Sequence, residues 1–356
     1  MAISYEPKEV PKTWIKTPLV ESFALSKAAG CRVFLKLENL QPSGSFKSRG
    51  IGNLIRHYVL ANEPGKPLHF YCSSSGNAGL GCVSAARRLG YPATIVVGHN
   101  TKPLMIAKLK AAGATRVVQA GASWTEADKH LREVELANDP NGIHIPPFDH
   151  PKIWDGAATI IDETADQMQE LGDPDAIVCS VGGGGLFAGV MQGLDANYDR
   201  EIKVLAMETK GADALNLSLK AGELVTLPAI TSIAASLGAL RVSATAFKLA
   251  QRPNVISAVV GDGEAAMGCW RFLDDERMLV EPSCGAAVAV CYDGKLKKLL
   301  PGFNANSKVV IVVCGGSSIT MELLAEYKQT YGGTDQGTRD PAIPSSITEA
   351  EADAKR

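Results

Sequence analysis

The chain has 356 residues, 46% of them hydrophobic and 21% charged, so it can bury a substantial core and its length favours about two domains. A formal net charge of −2 without a dense Lys/Arg cluster excludes an electrostatic footprint for nucleic acid or an acidic membrane, and points to a small-molecule ligand. The opening "MAISYEPKEVPKTW" has no apolar signal-type core and no apolar span approaches membrane length, so a cytosolic location is expected.

In chain order, Val- and Ile-rich runs are expected as strands: "RVFLKLE" (32–38), "LHFYCSS" (68–74), "ATIVVG" (93–98), "TRVVQAG" (115–121), "DAIVCSVGG" (175–183), "IKVLAME" (202–208) and "KVVIVVCGG" (308–316). Longer stretches of helical spacing separate them, such as "AGLGCVSAARRLG" (78–90) and "PLMIAKLKAAGA" (103–114), with glycine where a helix commonly stops. That alternation implies parallel sheets built by crossover connections, and so an α/β protein. The proline-rich "NDPNGIHIPPFDHPKIWDG" (138–156) interrupts the alternation and is expected to carry a domain crossing. The organisation read from it is a small domain, 45–148, a large domain, 1–44 plus 149–330, and a polar tail, 331–356, that adds nothing to the core.

The eight cysteines lie far apart, with no CxxC pair, and most sit in apolar runs, so neither a disulfide framework nor a zinc site is indicated. Six scattered histidines lack the spacing of a metal-binding helix, and no Gly-x-Ser-x-Gly elbow supports a serine hydrolase.

Three apolar runs end alike. "FYCSSSGNAGLG", "IVCSVGGGGLFAG" and "IVVCGGSSIT" each pass from a strand into small residues and glycine and then towards a helix or turn. In an open parallel sheet, ligands bind at such strand ends, where helix N-termini offer unpaired N–H groups to anions. The run Gly182 to Gly185 is therefore the candidate phosphate cradle, although tight turns produce many such runs. It is a poor match to a P-loop or a dinucleotide fingerprint. Lys47, in "LQPSGSFKSRGIGNL", follows a Pro-Ser-Gly-Ser turn, where a lysine is ordinarily a solvated charge. Together, a turn-borne amine, a phosphate loop and a sheet edge of small polar residues suggest pyridoxal phosphate, which a lysine holds as a Schiff base.

The motifs "PSGSFKSRG", "SSSGNAG", "SVGGGGL", "METKGA" and "VCGGSS" occur in the order and spacing of the fold-type II pyridoxal-phosphate enzymes. From about Lys16 to Leu323 the chain resembles their L-serine/L-threonine dehydratase branch, which "LVEPSCGAA" also matches, and the resemblance implies an α/β fold of two open, twisted, mostly parallel sheets flanked by helices. The resemblance implies that Lys47 is the Schiff-base lysine and general base, with Phe46 beside the cofactor ring. It further implies that Gly182, Gly183, Gly184, Gly185 and Leu186 grip the phosphate, and that Asn77 bonds the 3′-oxygen. Ser74, Ser75, Gly76 and Ala78 would receive the substrate carboxylate, with Phe148 nearby. Cys314 would face the pyridine nitrogen, where a neutral thiol cannot hold it protonated as an aspartate would, which favours elimination over transamination.

The same resemblance places Glu208 near the leaving group, although a carboxylate at a strand end also reads as a cap or a solvated charge. It implies a potassium-type monovalent cation held by carbonyls near Gly182, Glu208, Ala212, Leu237 and Ala239, and a homodimer. The reaction expected is β-elimination from L-serine and L-threonine. Ser75 matches serine racemases, whereas Ala78 does not, so racemase activity is the alternative. A β-replacing enzyme of the cysteine synthase type and a non-catalytic regulatory protein on the same scaffold are the others.

Overall fold

The computed structural model describes residues 10–63 and 65–334. Ten strands carry the architecture: β1 (Leu19–Ser22), β2 (Arg32–Lys36), β3 (His69–Cys72), β4 (Ala93–Val97), β5 (Arg116–Gln119), β6 (Gly142–His144), β7 (Ala176–Ser180), β8 (Lys203–Thr209), β9 (Val255–Val260) and β10 (Lys308–Val312). They form a six-stranded sheet in the order β1-β2-β10-β7-β8-β9 and a four-stranded sheet in the order β5-β4-β3-β6. Only the β1–β2 pair is antiparallel; every other neighbouring pair is parallel, as the α/β alternation requires. Residues 1–9 of the expected large domain, and the expected tail from 335 onwards, lie outside the described residues. Tyr331 itself ends the helix Met321–Tyr331.

Strands β4 and β7 are buried along their whole length, which is why "ATIVV" and "AIVCS" read as continuous apolar runs rather than alternating ones. The larger sheet and its helices enclose one core that includes Val33, Leu35, Val178, Leu205 and Ile311. Phe70, Cys72, Ile95 and Val97 of the smaller sheet pack with Leu54, Ile55 and Val83 from two flanking helices.

The helix Pro151–Met168 starts within the proline-rich segment, with Pro at its first turn and the His150 ring accepting from the Lys152 amide. It crosses the helix Lys47–Ala61 so tightly that a methyl group on Gly156 would fall 2.5 Å from the Arg49 carbonyl. This close crossing fixes the start of the helix that begins with Lys47.

Below it lies a buried ionic cluster. Arg49 donates from Nε and Nη2 to the two oxygens of Glu38, each at 2.7 Å, and from Nη1 and Nη2 to those of Glu163, again at 2.7 Å. Lys36 donates to Glu163, to the Thr17 carbonyl and to Gln167. Thr17 and Gln41 complete the shell around Glu38. Every charge has a partner and further hydrogen bonds, the condition under which burial of such a cluster is tolerated. Among the described residues no helix is long and apolar enough to cross a membrane.

Candidate active site

Lys47 is the first residue of its helix. The turn before it closes through Gly44 N–H to the Gln41 carbonyl, and is tied to the end of β10 by Phe46 N–H to the Cys314 carbonyl and by a Ser45–Gly315 bridge. Lys47 Nζ stands 5.1 Å from the centre of the Phe46 ring and donates to the Pro147 carbonyl. Desolvation by the surrounding protein lowers its pKa to about 8, against weaker upward pulls from Cys72, Cys314 and Glu281. A partly buried amine with that affinity for protons is suited to nucleophilic and base chemistry.

The loop after β3 runs from Ser73 to Gly76 and opens the helix Asn77–Leu89. Ser73 anchors it by donating to Asp128 at 2.7 Å, and Ser74 Oγ accepts from the Gly76 amide. Ser74, Ser75 and Gly76 are partly exposed, whereas Asn77 and Ala78 are buried. The Asn77 oxygen accepts from Ser317 N–H at 3.0 Å, and its Nδ2 donates to Glu281 at 2.8 Å and to Ser236 at 3.3 Å. Asn77 thus joins the loop after β3 to the loop after β10.

After β7, Gly182–Gly184 lead into the 13-residue helix Gly185–Asn197, whose first turn has no side-chain cap. Gly184 has φ +93, and a methyl group there would fall 2.3 Å from Ala246 Cβ, so both conformation and space demand glycine. Gly183 lies under the Phe148 ring, where a methyl group would be 2.4 Å from three ring carbons. Phe148 is held in turn by Trp154 Nε1–H, which donates to its carbonyl at 3.1 Å. An uncapped helix start offers amides and positive potential to an anion.

Cys314 is buried just past β10, and its thiol donates to the Val312 carbonyl. The hydrogen bond between Cys284 and Cys314 pushes the Cys284 thiol well up, a direction that burial reinforces. Ser180 closes the floor by donating to the Ser283 carbonyl at 2.6 Å.

Glu208 sits at the end of β8, beside the start of the next helix. Its two oxygens accept from Leu215 and Asn216 N–H at 2.9 and 2.8 Å, capping the helix Ala214–Ala221. Burial raises its pKa to about 8 against the lowering effect of those two amides. This is the cap that a carboxylate at a strand end also allows. The Leu237 carbonyl accepts from Ala239 N–H at 2.7 Å and lies beside Gly182, while Ala212 N–H donates to the Thr209 carbonyl. Among the described residues no group of three or more His, Cys, Asp or Glu side chains could hold a metal ion.

Glu281, Ser236 and Ser318 belong to this constellation without having been singled out individually in the sequence. Glu281, only 2% exposed, binds Asn77 through one oxygen and the Ser318 hydroxyl, at 2.7 Å, through the other. The available signal was an acid inside the apolar "MLVEPSCGAAVAV", a residue that must find buried partners. The site residues fit pyridoxal phosphate: a desolvated lysine amine, an uncapped helix start, an amide N–H with only a long partner, and a buried thiol at the floor.

Residues 10–315 match the family model described as pyridoxal-phosphate dependent enzyme. The chain is 45% identical over 321 residues to an L-serine dehydratase/L-threonine deaminase from Bos taurus, an alignment spanning 89% of this chain and 96% of that protein. It superposes on a fungal L-serine ammonia-lyase from Rhizomucor miehei with TM-score 0.83 and 38% identity, covering 90% of this chain and 100% of that one. A maize serine racemase structure matches with TM-score 0.76 and 26% identity, over 90% of this chain and 94% of the other.

Proposed function

Because the chain belongs to the family of pyridoxal-phosphate dependent enzymes, we propose that it is a lyase converting L-serine to pyruvate and ammonia, and L-threonine to 2-oxobutanoate and ammonia. The observation that carries this reading is the Lys47 amine, held at a helix start with a pKa near 8. Similarity to the bovine dehydratase and the fungal ammonia-lyase supports the substrate class.

Bound pyridoxal phosphate supplies the electron sink for the pair released from the substrate Cα. The amides of Gly182 to Leu186 bind its phosphate at the uncapped helix start, and Asn77 donates to its 3′-oxygen. Lys47 takes the Cα proton, a role for which an amine that desolvation frees of its own proton near pH 8 is suited. The carboxylate of the amino acid docks on the loop of Ser74, Ser75, Gly76 and Ala78, with Phe148 nearby. Cys314 would lie at the pyridine nitrogen, where a thiol, unlike an aspartate, would not hold that nitrogen protonated, and this would favour loss of the β-substituent. Residues 45–148 act as the small domain and residues 1–44 plus 149–330 as the large one. We read the working form as a cytosolic homodimer, with a potassium-type cation at the carbonyls around Leu237.

Incubating the purified protein and cofactor with L-serine, L-threonine and D-serine, and following keto acid, tests the reading. Pyruvate and 2-oxobutanoate from the L-amino acids support it. Their absence, or D-serine formed in excess over pyruvate, overturns it. The second outcome would favour racemisation, for which Ser75 and the likeness to the maize racemase speak.

A further inference from the structure

Glu281 stands behind the candidate site at the N-terminal boundary of the helix Pro282–Val288, with nothing in the proposed chemistry to occupy it. Its carboxylate is pressed against the backbone of Gly316, where a methyl group would lie 2.0 Å from Glu281 Cδ. One oxygen accepts from Asn77 Nδ2 at 2.8 Å, and the other accepts from the Ser318 hydroxyl at 2.7 Å and from Ser318 N–H at 3.3 Å. A carboxylate held in that way only accepts hydrogen bonds, whereas the Ser317 amide that meets the Asn77 oxygen only donates. The Asn77 amide therefore has one permitted orientation. Its second N–H points towards Ser236, an exposed residue whose 3.3 Å separation makes a weak bond.

We propose that Glu281 is a positioning residue for the cofactor: it locks the Asn77 amide so that the remaining N–H is offered to the cofactor's phenolic oxygen, and it sets a carboxylate behind the Lys47 amine. The inference rests on the reading that places pyridoxal phosphate between Lys47 and Asn77. The titratable groups facing Lys47 are Cys72, Cys314 and Glu281, and the thiols Cys269 and Cys314 in turn lie within electrostatic reach of Glu281. Glu281 is the carboxylate of that set. A negative charge there favours a protonated nitrogen on Lys47.

The test compares the cofactor-free wild type with E281Q, N77A, N77A/E281Q and S236A. Two quantities are measured: the dissociation constant for pyridoxal phosphate, and the pH midpoint of the visible absorbance of the bound cofactor. E281Q should weaken cofactor binding about 10-fold, a loss typical of a hydrogen bond to a charged group. It should also lower the pH midpoint, whereas a purely structural role would leave the midpoint in place. In the N77A background the same change should alter affinity by less than about 2-fold, because Glu281 acts on binding through Asn77. S236A should leave affinity within about 2-fold, since the cofactor replaces that weak partner.

An E281Q protein that matches wild type in both readouts, or that weakens binding as much without Asn77 as with it, overturns the inference. Should the buried substitution unfold the chain, S236A decides, and a loss of about 10-fold there counts against the proposed geometry. Wild type that takes up no pyridoxal phosphate overturns the underlying reading as well. Wild type that binds it, alongside an unaffected E281Q, removes this inference alone.

Discussion

Arg49 grips both oxygens of Glu38 with one edge of its guanidinium and both oxygens of Glu163 with the other, two positions along the chain from Lys47. The pairing ties the helix that begins with Lys47 to the segment after β2 and to the helix Pro151–Met168. Arg49 and Glu38 are fully buried, so neither charge has water to fall back on. Arg49→Met should destabilise the protein by about 3–5 kcal/mol, because it strands two carboxylates. Urea unfolding of the cofactor-free protein measures it, and a loss below about 1 kcal/mol would show that the cluster is not what anchors this helix. Glu163 adds a pH signature. Burial raises its pKa, but Arg49 and Lys36 together bring it below the usual carboxylate range. Its contribution to stability is therefore present at neutral pH and is lost as pH falls through that depressed value. Glu163→Gln should flatten the acid limb of the stability profile.

The Lys47 amine makes the opposite demand at alkaline pH. With a folded pKa of about 8, it is charged below that value in both the folded and unfolded chains. Between there and the ~10.4 of an unfolded lysine, only the unfolded chain keeps the proton, so this group makes stability rise with pH across that window. Lys47→Met should abolish the rise in the cofactor-free protein. Acetylation followed by mass spectrometry should find the Lys47 rate reaching half its plateau near pH 8, and a midpoint near that of the surface lysines would refute the desolvated amine.

Phe148 and Gly183 are in direct contact, and a Gly183→Ala methyl would fall 2.4 Å from the ring. That variant should weaken cofactor binding at least about 10-fold, since either the ring or the amide loop must move. Phe148→Ala combined with it should recover part of the loss, because the obstructing ring is gone. Gly184→Ala should not be rescued in this way: its φ of +93 and its contact with Ala246 remain. Titration of each cofactor-free protein with pyridoxal phosphate reads the three cases apart.

Glu208 caps the helix Ala214–Ala221 through two backbone amides, which separates two possible tasks for it. If capping is the whole task, Glu208→Ala costs about 1–2 kcal/mol of stability and leaves kcat within about 10-fold of wild type at a temperature where both are folded. A kcat loss of more than about 100-fold with little change in stability would instead make the carboxylate a participant near the leaving group.

How far these features were legible in the sequence follows from where each residue sits. Buried interior strands announced themselves: "ATIVVG" and "KVVIVVCGG" are apolar throughout because parallel strands are covered on both faces. The unread strands β1, β6 and β9 are all sheet edges. An edge strand pairs on one side only, so Glu21 and Ser257 are tolerated there and the apolar signal dissolves. β6, with three residues inside a proline-rich stretch, left almost no pattern to detect. At the site, the Lys47 turn and the Gly182–Gly185 run were visible because local backbone geometry restricts which residues serve there. The Glu281–Asn77 pair was not, since a contact across 204 positions leaves no mark in local spacing. The cap role of Glu208 stayed one of several readings for the same reason: it depends on where the next helix begins.

Borohydride trapping shows whether Lys47 carries the cofactor. The protein is loaded with pyridoxal phosphate, reduced with borohydride, digested and mapped by mass spectrometry. A pyridoxyl label on Lys47, absent from Lys47→Ala, is the expected result. A label on a different lysine, or no label on a protein shown to be folded, would contradict it.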